Sequence, residues 1–113
     1  MSATEPRRLA DQPAITPNTV IDYAWDWTDS IGSDMTVATC TWTCAVIAAL
    51  PGSSADETPA DRILGSPALD GNVATARLGT MRDGNDYRIS IIATFDDGQA
   101  DEVYFHQPCR AAR

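Results

Sequence analysis

Apolar and polar residues alternate along short stretches of this chain, and one clear run of this alternation lies between Tyr23 and Cys44. Because side chains of a strand point alternately to its two faces, this alternation predicts β-strands with one buried and one wetted face. A first strand is predicted over Thr19 to Trp27, and its apolar face carries Ile21, Tyr23, Trp25 and Trp27. A second strand is predicted over Met35 to Val46, and the polar stretch Thr28 to Asp34 predicts a turn that joins the two strands into a hairpin.

The second strand has one face suited to a core and one rich in threonine. The predicted core face carries Thr36, Ala38, Cys40, Trp42, Cys44 and Val46. The opposite face carries Met35, Val37, Thr39, Thr41 and Thr43. Threonine suits a sheet surface that meets solvent or another subunit. The following run, Ala45 to Leu50, either continues the strand or forms one helical turn, since alanine favours helix and the run is too short to decide.

The second half of the chain predicts four more strands. Arg62 to Gly65 and Val73 to Leu78 are short, and a turn at Asp70 to Asn72 precedes the latter. The most regular alternation places one set of residues on a common inner face: Tyr87, Ile89, Ile91, Ala93 and Phe95. A D-G turn at Asp96 to Gln99 leads into the last strand, Ala100 to His106. In that strand Val103 and Phe105 are expected to face inward, and Glu102, Tyr104 and His106 outward.

Six strands are predicted in all, and seven if another lies in Ala45 to Leu50 or in the N-terminal segment. Several short strands with turns about every ten residues are typical of an antiparallel β-sandwich. Tyr87 opens its strand four residues after Asp83, a spacing similar to the tyrosine corner of immunoglobulin-like sandwiches, in which the hydroxyl bonds to upstream backbone. The expected fold is therefore all-β: an antiparallel immunoglobulin-like β-sandwich with an extended N-terminal arm.

A chain of 113 residues is expected to form one domain. Residues 1–18 combine prolines with charged residues and show no periodicity, which predicts an extended arm. The arm is either a free tail or a segment that lies across a neighbouring subunit, since its prolines lower the entropy cost of ordering it. The β-sandwich domain is predicted over residues 19–107, and a C-terminal tail over 108–113.

Charge and hydropathy exclude several classes of partner. The formal net charge is -8, and the eight basic residues, all arginine, are scattered, so a nucleic-acid partner is not expected. No apolar run approaches the roughly 18 to 20 residues that a transmembrane helix needs, so no membrane association is expected. The N-terminus has arginines without a following apolar segment, so a secretory signal is not expected either.

The sequence offers little for catalysis. His106 is the only histidine, and no nucleophile motif accompanies it. With Cys40, Cys44 and Cys109 it could be read as a set of zinc ligands. However, residues four apart in a strand are separated by about 13 Å, whereas the ligands of one zinc ion lie within about 4 Å of each other. No catalytic residue, metal or cofactor is therefore predicted, and the cysteines are expected to be small buried side chains.

Acidic residues cluster around the two turns that bound the best strands. One group comprises Asp22, Asp26, Asp29 and Asp34, and the other Asp96, Asp97, Asp101 and Glu102. Neither group matches a known calcium-binding loop, so solvated acidic turns are the expectation, with calcium binding as the alternative.

Two long stretches resemble the phage fiber-tail adaptor proteins, a family of small proteins from tailed bacteriophages. IDYAWDWTDSIGSDMTVATCTWT, at Ile21 to Thr43, is similar to the family's "DY..DW...LG.DTI..STWT" start. LDGNVATARLGTMRDGNDYRISIIATFDDGQADEVYFH, at Leu69 to His106, is similar to its later strand, glycine-containing loop and final hairpin. The segment from Cys44 to Arg62 departs from the family, because it is longer than the usual "TVPAGLT" connection.

The resemblance implies an immunoglobulin-like virion protein, assembled in the host cytoplasm, that joins fiber or neck components to the tail without catalysis. Its expected partners are other virion structural proteins and further copies of itself in a symmetric assembly. The residues expected to contact partners are Ile15 and Pro17 in the arm, Met81 and Arg82 in a loop, and Tyr104 and His106 on the outer face of the last strand.

Two alternatives stay open from the sequence. Capsid decoration shares the expected fold. A free module that binds carbohydrate or protein at a cell surface needs an exposed aromatic platform, which Trp25, Trp27 or Trp42 could supply.

Overall fold

Two β-sheets enclose one core in the computed structural model, which describes residues 7–28 and 36–111. The strands within these residues are β1 (Arg7–Arg8), β2 (Val20–Asp26), β3 (Val37–Ala49), β4 (Ile63–Asp70), β5 (Val73–Gly79), β6 (Asn85–Phe95) and β7 (Ala100–Pro108). A short 3₁₀ helix, Pro59–Arg62, precedes β4. The larger sheet has the order β1-β7-β6-β3 and the smaller one the order β2-β5-β4. The fold is all-β, as predicted.

Strand β6 forms the middle of the core. Its five inner side chains are all buried, as the alternation predicted: Tyr87, Ile89, Ile91, Ala93 and Phe95. Val103 and Phe105 of β7 are buried beside them, which confirms the predicted facing of that strand too. Burying one such large apolar side chain stabilises the fold by about 1.5–3 kcal/mol, so this pattern decides which face of the sheet turns inward.

Two hairpins are closed by glycines with positive φ. Gly71, with φ +60°, lies in the turn between β4 and β5, and Gly98, with φ +86°, lies between β6 and β7. Glycine has no Cβ and adopts this backbone conformation without strain. Both turns were predicted from the sequence, and both are confirmed.

The prediction that β2 and β3 form a hairpin is wrong. Strand β2 pairs with β5 in the smaller sheet, whereas β3 pairs with β6 in the larger one. The chain crosses between the sheets after Trp27, whose ring packs against Phe95 of the opposite sheet with 6.0 Å between centroids. The predicted turn itself, residues 28 to 34, lies outside the described residues apart from Thr28. Each strand therefore contributes to the core from a different side, but the predicted inner face of β2 is only partly buried: Tyr23 and Trp25 are half-buried and Ile21 is exposed.

The tryptophans meet inside the sandwich. Trp25 and Trp27 lie edge to face with 6.2 Å between ring centroids. Trp42 of β3 and Trp25 of β2 line the same cavity of about 270 Å³ between the sheets. Trp27 and Trp42 are buried, while Trp25 is half-buried.

The predicted facing of β3 is correct for its middle and wrong for its beginning. Trp42 and Cys44 are buried as expected, but Val37 is buried while Thr36 and Ala38 are exposed. A register shift between Val37 and Thr39 explains the difference, because an extra residue in a strand reverses the alternation before it. After Val46 the strand continues to Ala49, which decides between the two alternatives for that run.

Strands β4 and β7 extend past their predicted ends. Strand β4 runs to Asp70 instead of Gly65 and contains a register shift between Leu64 and Ala68, which hides its alternation in the sequence. Strand β7 continues two residues past the predicted end to Pro108, and the following Cys109 is fully buried. The chain therefore stays packed on the sandwich beyond His106.

The described part of the N-terminal segment packs on its own chain. Residues 7–15 lie along β7 of their own chain, where β1 pairs in parallel with Val103 and Tyr104, and Ile15 forms a parallel bridge to Cys109. The N–H groups of Leu9, Gln12 and Ile15 donate to the carbonyl oxygens of Tyr104, His106 and Pro108 at 2.7–3.1 Å. This segment, called the N-terminal strap below, covers the β7 edge of the larger sheet.

Tyr87 forms the predicted tyrosine corner. Its hydroxyl oxygen accepts a hydrogen bond of 2.9 Å from the backbone N–H of Arg82, five residues upstream. Within the described residues, no helix has the length and apolar character needed to cross a membrane.

Candidate interaction surfaces

The outer face of the larger sheet carries an arginine stacked on a tyrosine. The guanidinium carbon of Arg88 lies 3.7 Å from the centre of the Tyr104 ring, and one of its nitrogens lies 4.0 Å from a carboxylate oxygen of Glu102. These side chains come together because Arg88 lies opposite His106, next to the Ser90–Tyr104 pair in the β6–β7 register. A cation over an aromatic ring is an arrangement common at protein interfaces.

His106 extends this face toward the N-terminal strap. Its Nδ1 lies 2.9 Å from Nη2 of Arg8 and 3.9 Å from Oδ1 of Asp11. Arginine has only donors, so Nδ1 is the acceptor of this hydrogen bond. The hydrogen bond from Arg8 holds the pKa of the Asp11 carboxyl below its usual range. The Tyr104 and His106 rings are 5.8 Å apart, so strap and strand form one polar-aromatic surface.

The other predicted contact residues lie at one end of the sandwich. Ile15 and Pro17 are half-buried, and the carbonyl oxygen of Ile15 accepts a hydrogen bond of 2.8 Å from Arg110 N–H. Arg82 is exposed in the β5–β6 loop, whereas Met81 is only 1 % exposed and belongs to the core. The structure thus places Arg82 at the surface and Met81 beneath it.

The N-terminal strap and the β5–β6 loop are linked through one buried cysteine. Cys109 forms the bridge to Ile15, and its carbonyl oxygen accepts a hydrogen bond of 2.9 Å from Gly84 N–H in the β5–β6 loop. The N-terminal strap and this loop are therefore held together, while Tyr104 and His106 point outward from the face of the sheet.

A buried ion pair, which sequence reasoning missed, anchors the loop before the 3₁₀ helix. Nε of Arg62 lies 3.2 Å from Oδ2 of Asp56, and both side chains are at most 6 % exposed. The Tyr87 hydroxyl donates a hydrogen bond of 2.7 Å to the same carboxylate. Burial alone raises the pKa of Asp56, but hydrogen bonds from Thr58 and Tyr87 and the charge of Arg62 lower it overall. The tyrosine corner and the ion pair thus form one buried network.

The β3 edge of the larger sheet is uncovered among the described residues. The carbonyl oxygen of Asn85 in β6 accepts a hydrogen bond from Cys109 N–H, on the β7 side. In an antiparallel sheet the backbone groups of successive residues point to opposite sides. The odd-numbered residues of β6 therefore bond to β7 and the even-numbered ones to β3. In the β3–β6 register the residues that bond β3 are Ser90 and Ile92, opposite Thr43 and Thr41. The backbone groups of Cys40, Trp42 and Cys44 therefore point away from β6, toward the open side. We call this row the open edge.

A groove of about 430 Å³ runs along the open edge. Its other wall is the 3₁₀ helix and β4, represented by Ala60, Ile63 and Pro67, and no charged side chain lines it. The buried Asp56–Arg62 pair lies behind this wall, because Arg62 ends the 3₁₀ helix. The position of the wall beside β3 thus depends on the ion pair.

The cysteines are poor nucleophiles in these surroundings. Burial raises the pKa of Cys44 to about 12 and that of Cys109 to about 11, and it also raises the pKa of Cys40. A thiol in such an environment is mostly protonated near neutral pH and therefore reacts slowly as a nucleophile. Within the described residues, no three His, Cys, Asp or Glu side chains lie close enough together to hold a metal ion.

The described residues thus form an all-β protein of two sheets with candidate contact faces and one open sheet edge. Residues 16–106 match the family described as podophage GP4 fiber-tail adaptor protein gp77, and the chain therefore belongs to this family. A comparison with curated proteins finds no match.

Proposed function

We propose that this protein is a non-enzymatic structural component of a tailed-bacteriophage virion, which joins tail or neck components to fibers. It is present in several copies in a symmetric assembly and is incorporated in the host cytoplasm. The observation that carries the proposal is the family match over residues 16–106, which spans most of the sandwich and both sheets.

The immunoglobulin-like topology is part of this proposal. The order β2-β5-β4 corresponds to strands B, E and D of that fold, and β7-β6-β3 corresponds to G, F and C. The tyrosine corner at the start of β6 occupies the position that it has in the F strand of such domains. The N-terminal strap then corresponds to a first strand that pairs in parallel with the last.

Rigidity supports an adaptor role. The long loop between β3 and β4 is fixed by a buried ion pair, a tyrosine hydroxyl and the fully buried Asn85, whose Oδ1 accepts a hydrogen bond of 2.9 Å from Asp56 N–H. A module whose loops are fixed before assembly loses less conformational entropy when it binds its neighbours. We propose that Tyr104, His106, Arg82, Ile15 and Pro17 contact those neighbours, with Met81 supporting Arg82 from the core.

The test is incorporation into virions. Tyr104→Ala combined with Arg88→Ala removes the stacked pair from the outer face and is expected to reduce incorporation of an otherwise folded protein. Arg77→Ala is the matched control, because Arg77 is an exposed arginine paired with Asp22 at 2.8 Å on the other sheet. Normal incorporation of the Tyr104/Arg88 variant would remove this face from the proposal, and infectious particles lacking the protein would overturn the adaptor role.

The sequence alternatives are tested separately. The cell-surface module needs exposed tryptophan, and the burial of Trp27 and Trp42 leaves Trp25 as the only half-buried one of the three. We expect blue-shifted, quencher-resistant tryptophan emission; red-shifted, quenchable emission would favour the binding module. Capsid decoration is distinguished by electron microscopy of labelled particles, where we expect label at the tail.

A further inference from the structure

We propose that the open edge joins two copies of this chain through antiparallel pairing of β3 with β3 of a second copy, centred on Trp42. The inference gives a surface to the homo-oligomer of the proposed function and rests on that part of it. It is argued from the backbone of the open edge, from the distribution of charge and from the spacing of side chains along β3.

The backbone of the open edge is available for pairing. The larger sheet has two edges, and the β7 edge is covered by the strap, with Leu9 N–H bonded to Tyr104 at 2.7 Å. At the opposite edge, within residues 7–28 and 36–111, the engaged backbone N–H is that of Val37, which donates to Oδ1 of Asn72 at 3.0 Å. A row of unpaired N–H and C=O groups is a template for a further strand.

The open edge lacks charges and prolines between its two register shifts. Thirteen residues, Val37–Ala49, contain no charged side chain and no proline, the register shifts lie near the two ends of the strand, and no charged side chain lines the groove beside them. Edge strands that remain single are commonly protected by charges, prolines or a covering segment. The absence of these in β3 indicates that the edge is covered in the assembled protein.

Charge favours a second copy as the partner. The chain carries a formal net charge of -8, so two copies repel each other wherever acidic surfaces meet, for example at the β6–β7 hairpin with Asp96, Asp97 and Asp101. The open edge is the uncharged part of the larger sheet, and two copies approach there with the least repulsion. A positively charged partner would gain no ion pair in this groove, because no carboxylate lines it.

The spacing of side chains along β3 is compatible with self-pairing. The register with β6 is regular from Thr39 to Val46, and the residue types of 40–44 are symmetric about Trp42. Antiparallel pairing centred on Trp42 places Thr41 of each copy opposite Thr43 of the other copy on the outer face of the sheet. Directly opposed threonines stabilise antiparallel pairs. On the inner face, the same register places Cys40 opposite Cys44 of the second copy.

This cysteine pair provides a specific test. Within one chain Cys40 and Cys44 are about 13 Å apart along the strand and cannot form a disulfide. Across the proposed pair their Cα atoms lie about 5.5 Å apart, within the range that a disulfide bridges. Catalysed oxidation of the wild type is expected to give a covalent dimer on a non-reducing gel.

The single variants Cys40→Ala and Cys44→Ala are each expected to abolish this covalent dimer, because each removes one member of every pair. If the cross-link persists in either variant, like cysteines pair or Cys109 takes part, and the proposed register is overturned. If the wild type gives no cross-link, the register is likewise overturned, and the pairing itself is decided by the mass measurement.

Light scattering coupled to size exclusion measures the mass. The wild type is expected to be a dimer at about 100 µM. The double variant Thr41→Lys/Thr43→Lys places like charges opposite each other and is expected to raise the dissociation constant at least about tenfold. Ala100→Lys is the control, since Ala100 is exposed on β7 of the same sheet.

Three outcomes overturn the pairing: a monomeric wild type, an unaffected Thr41/Thr43 variant, or a control that dissociates equally. A wild-type protein that stays monomeric and binds an extended segment of another virion protein at β3 would also overturn the self-pairing, because it is a monomeric wild type. Because the measurements use purified protein, their failure is distinguishable from failure of the adaptor role, which virion incorporation tests.

Discussion

The two edges of the larger sheet differ in how their backbone groups are paired. At the β7 edge the chain folds back on itself, and the strap supplies backbone donors to Tyr104, His106 and Pro108. At the β3 edge the backbone of Cys40, Trp42 and Cys44 points into an uncharged groove. One edge is therefore completed within the chain, whereas no described strand pairs with the other.

The two edges are also stabilised by different kinds of interaction, one ionic and one neutral. The wall beside β3 depends on a buried charge pair, Asp56–Arg62, whose loss leaves an uncompensated charge. The strap depends on neutral hydrogen bonds, including those of the fully buried Gln107, whose Nε2 donates to Pro13 and Pro108 at 2.9 Å each. Mutations at the two edges should consequently differ in size and in response to pH.

The largest expected effect is at the wall of the open edge. Arg62→Met leaves Asp56 buried without its partner and is expected to lower the free energy of unfolding by about 3–5 kcal/mol, measured by urea denaturation. The double variant Asp56→Asn/Arg62→Met is the control, and it should recover part of this loss because no unpaired charge remains. A loss below about 1 kcal/mol in the single variant would show that the pair does not hold the wall.

A smaller effect is expected at the closed edge. Gln107→Leu leaves the Pro13 carbonyl and the Tyr23 hydroxyl without their partner, since the hydroxyl donates to Gln107 Oε1. The expected loss is about 1–3 kcal/mol by the same measurement. Adding Tyr23→Phe should recover part of it, because the stranded hydroxyl is removed. If the variant is as stable as the wild type, the strap does not depend on Gln107.

The pH response should separate the edges further. The pKa of Asp56 is lower in the folded protein than in the unfolded chain, so its contribution is fully present above the unfolded value, about 4, and is lost as pH falls through the folded value. The stability difference between wild type and Asp56→Asn should therefore be greatest near neutral pH and shrink below about pH 4. The corresponding difference for Gln107→Leu should stay constant, because Gln107 does not titrate.

The smallest effect is expected on the outer surface. Arg8→Gln removes an exposed ion pair with Asp11, with 2.8 Å between Nη2 and Oδ2, and the hydrogen bond to His106. Exposed pairs contribute little to folding, so thermal unfolding should be indistinguishable from the wild type. A clear drop in the unfolding midpoint would mean that the strap is held by its side chains and not by its backbone.

Sequence reasoning succeeded where structure is local. The alternation of Tyr87 to Phe95, the D-G turn after it and the facing of Val103 and Phe105 were all predicted correctly, because each depends on residues close together in the chain. The tyrosine corner was also predicted, since Tyr87 bonds a backbone group only five residues upstream.

The errors arose where pairing is remote. Alternation marks a strand but not its partner, so β2 and β3 were joined into a hairpin although they belong to different sheets. The register shift after Val37 reversed the facing there, and no residue pattern signals it. The polar segment from Ser53 to Pro59 gives no sign that the Asp56 side chain is buried, because its partner Arg62 is predicted to start a strand.

The candidate contact residues were predicted less well than the fold. Tyr104 and His106 lie on the outer face because strand alternation placed them there. Met81 lies in the core, since loop composition does not determine which side chain turns inward. The open edge had a visible signal in the uncharged run after Met35, but its interpretation required the strand order of the sheet.

The strap also determines when this sheet can be completed. Its residues pair with the far end of the chain, as Arg7 and Asp101 do across a sequence separation of 94 residues. During synthesis the strap emerges long before its partner strand exists, and a loop of that length closes slowly. Docking of the strap must therefore be among the last steps of folding, and a chain interrupted before Tyr104 would carry it without a place to bind.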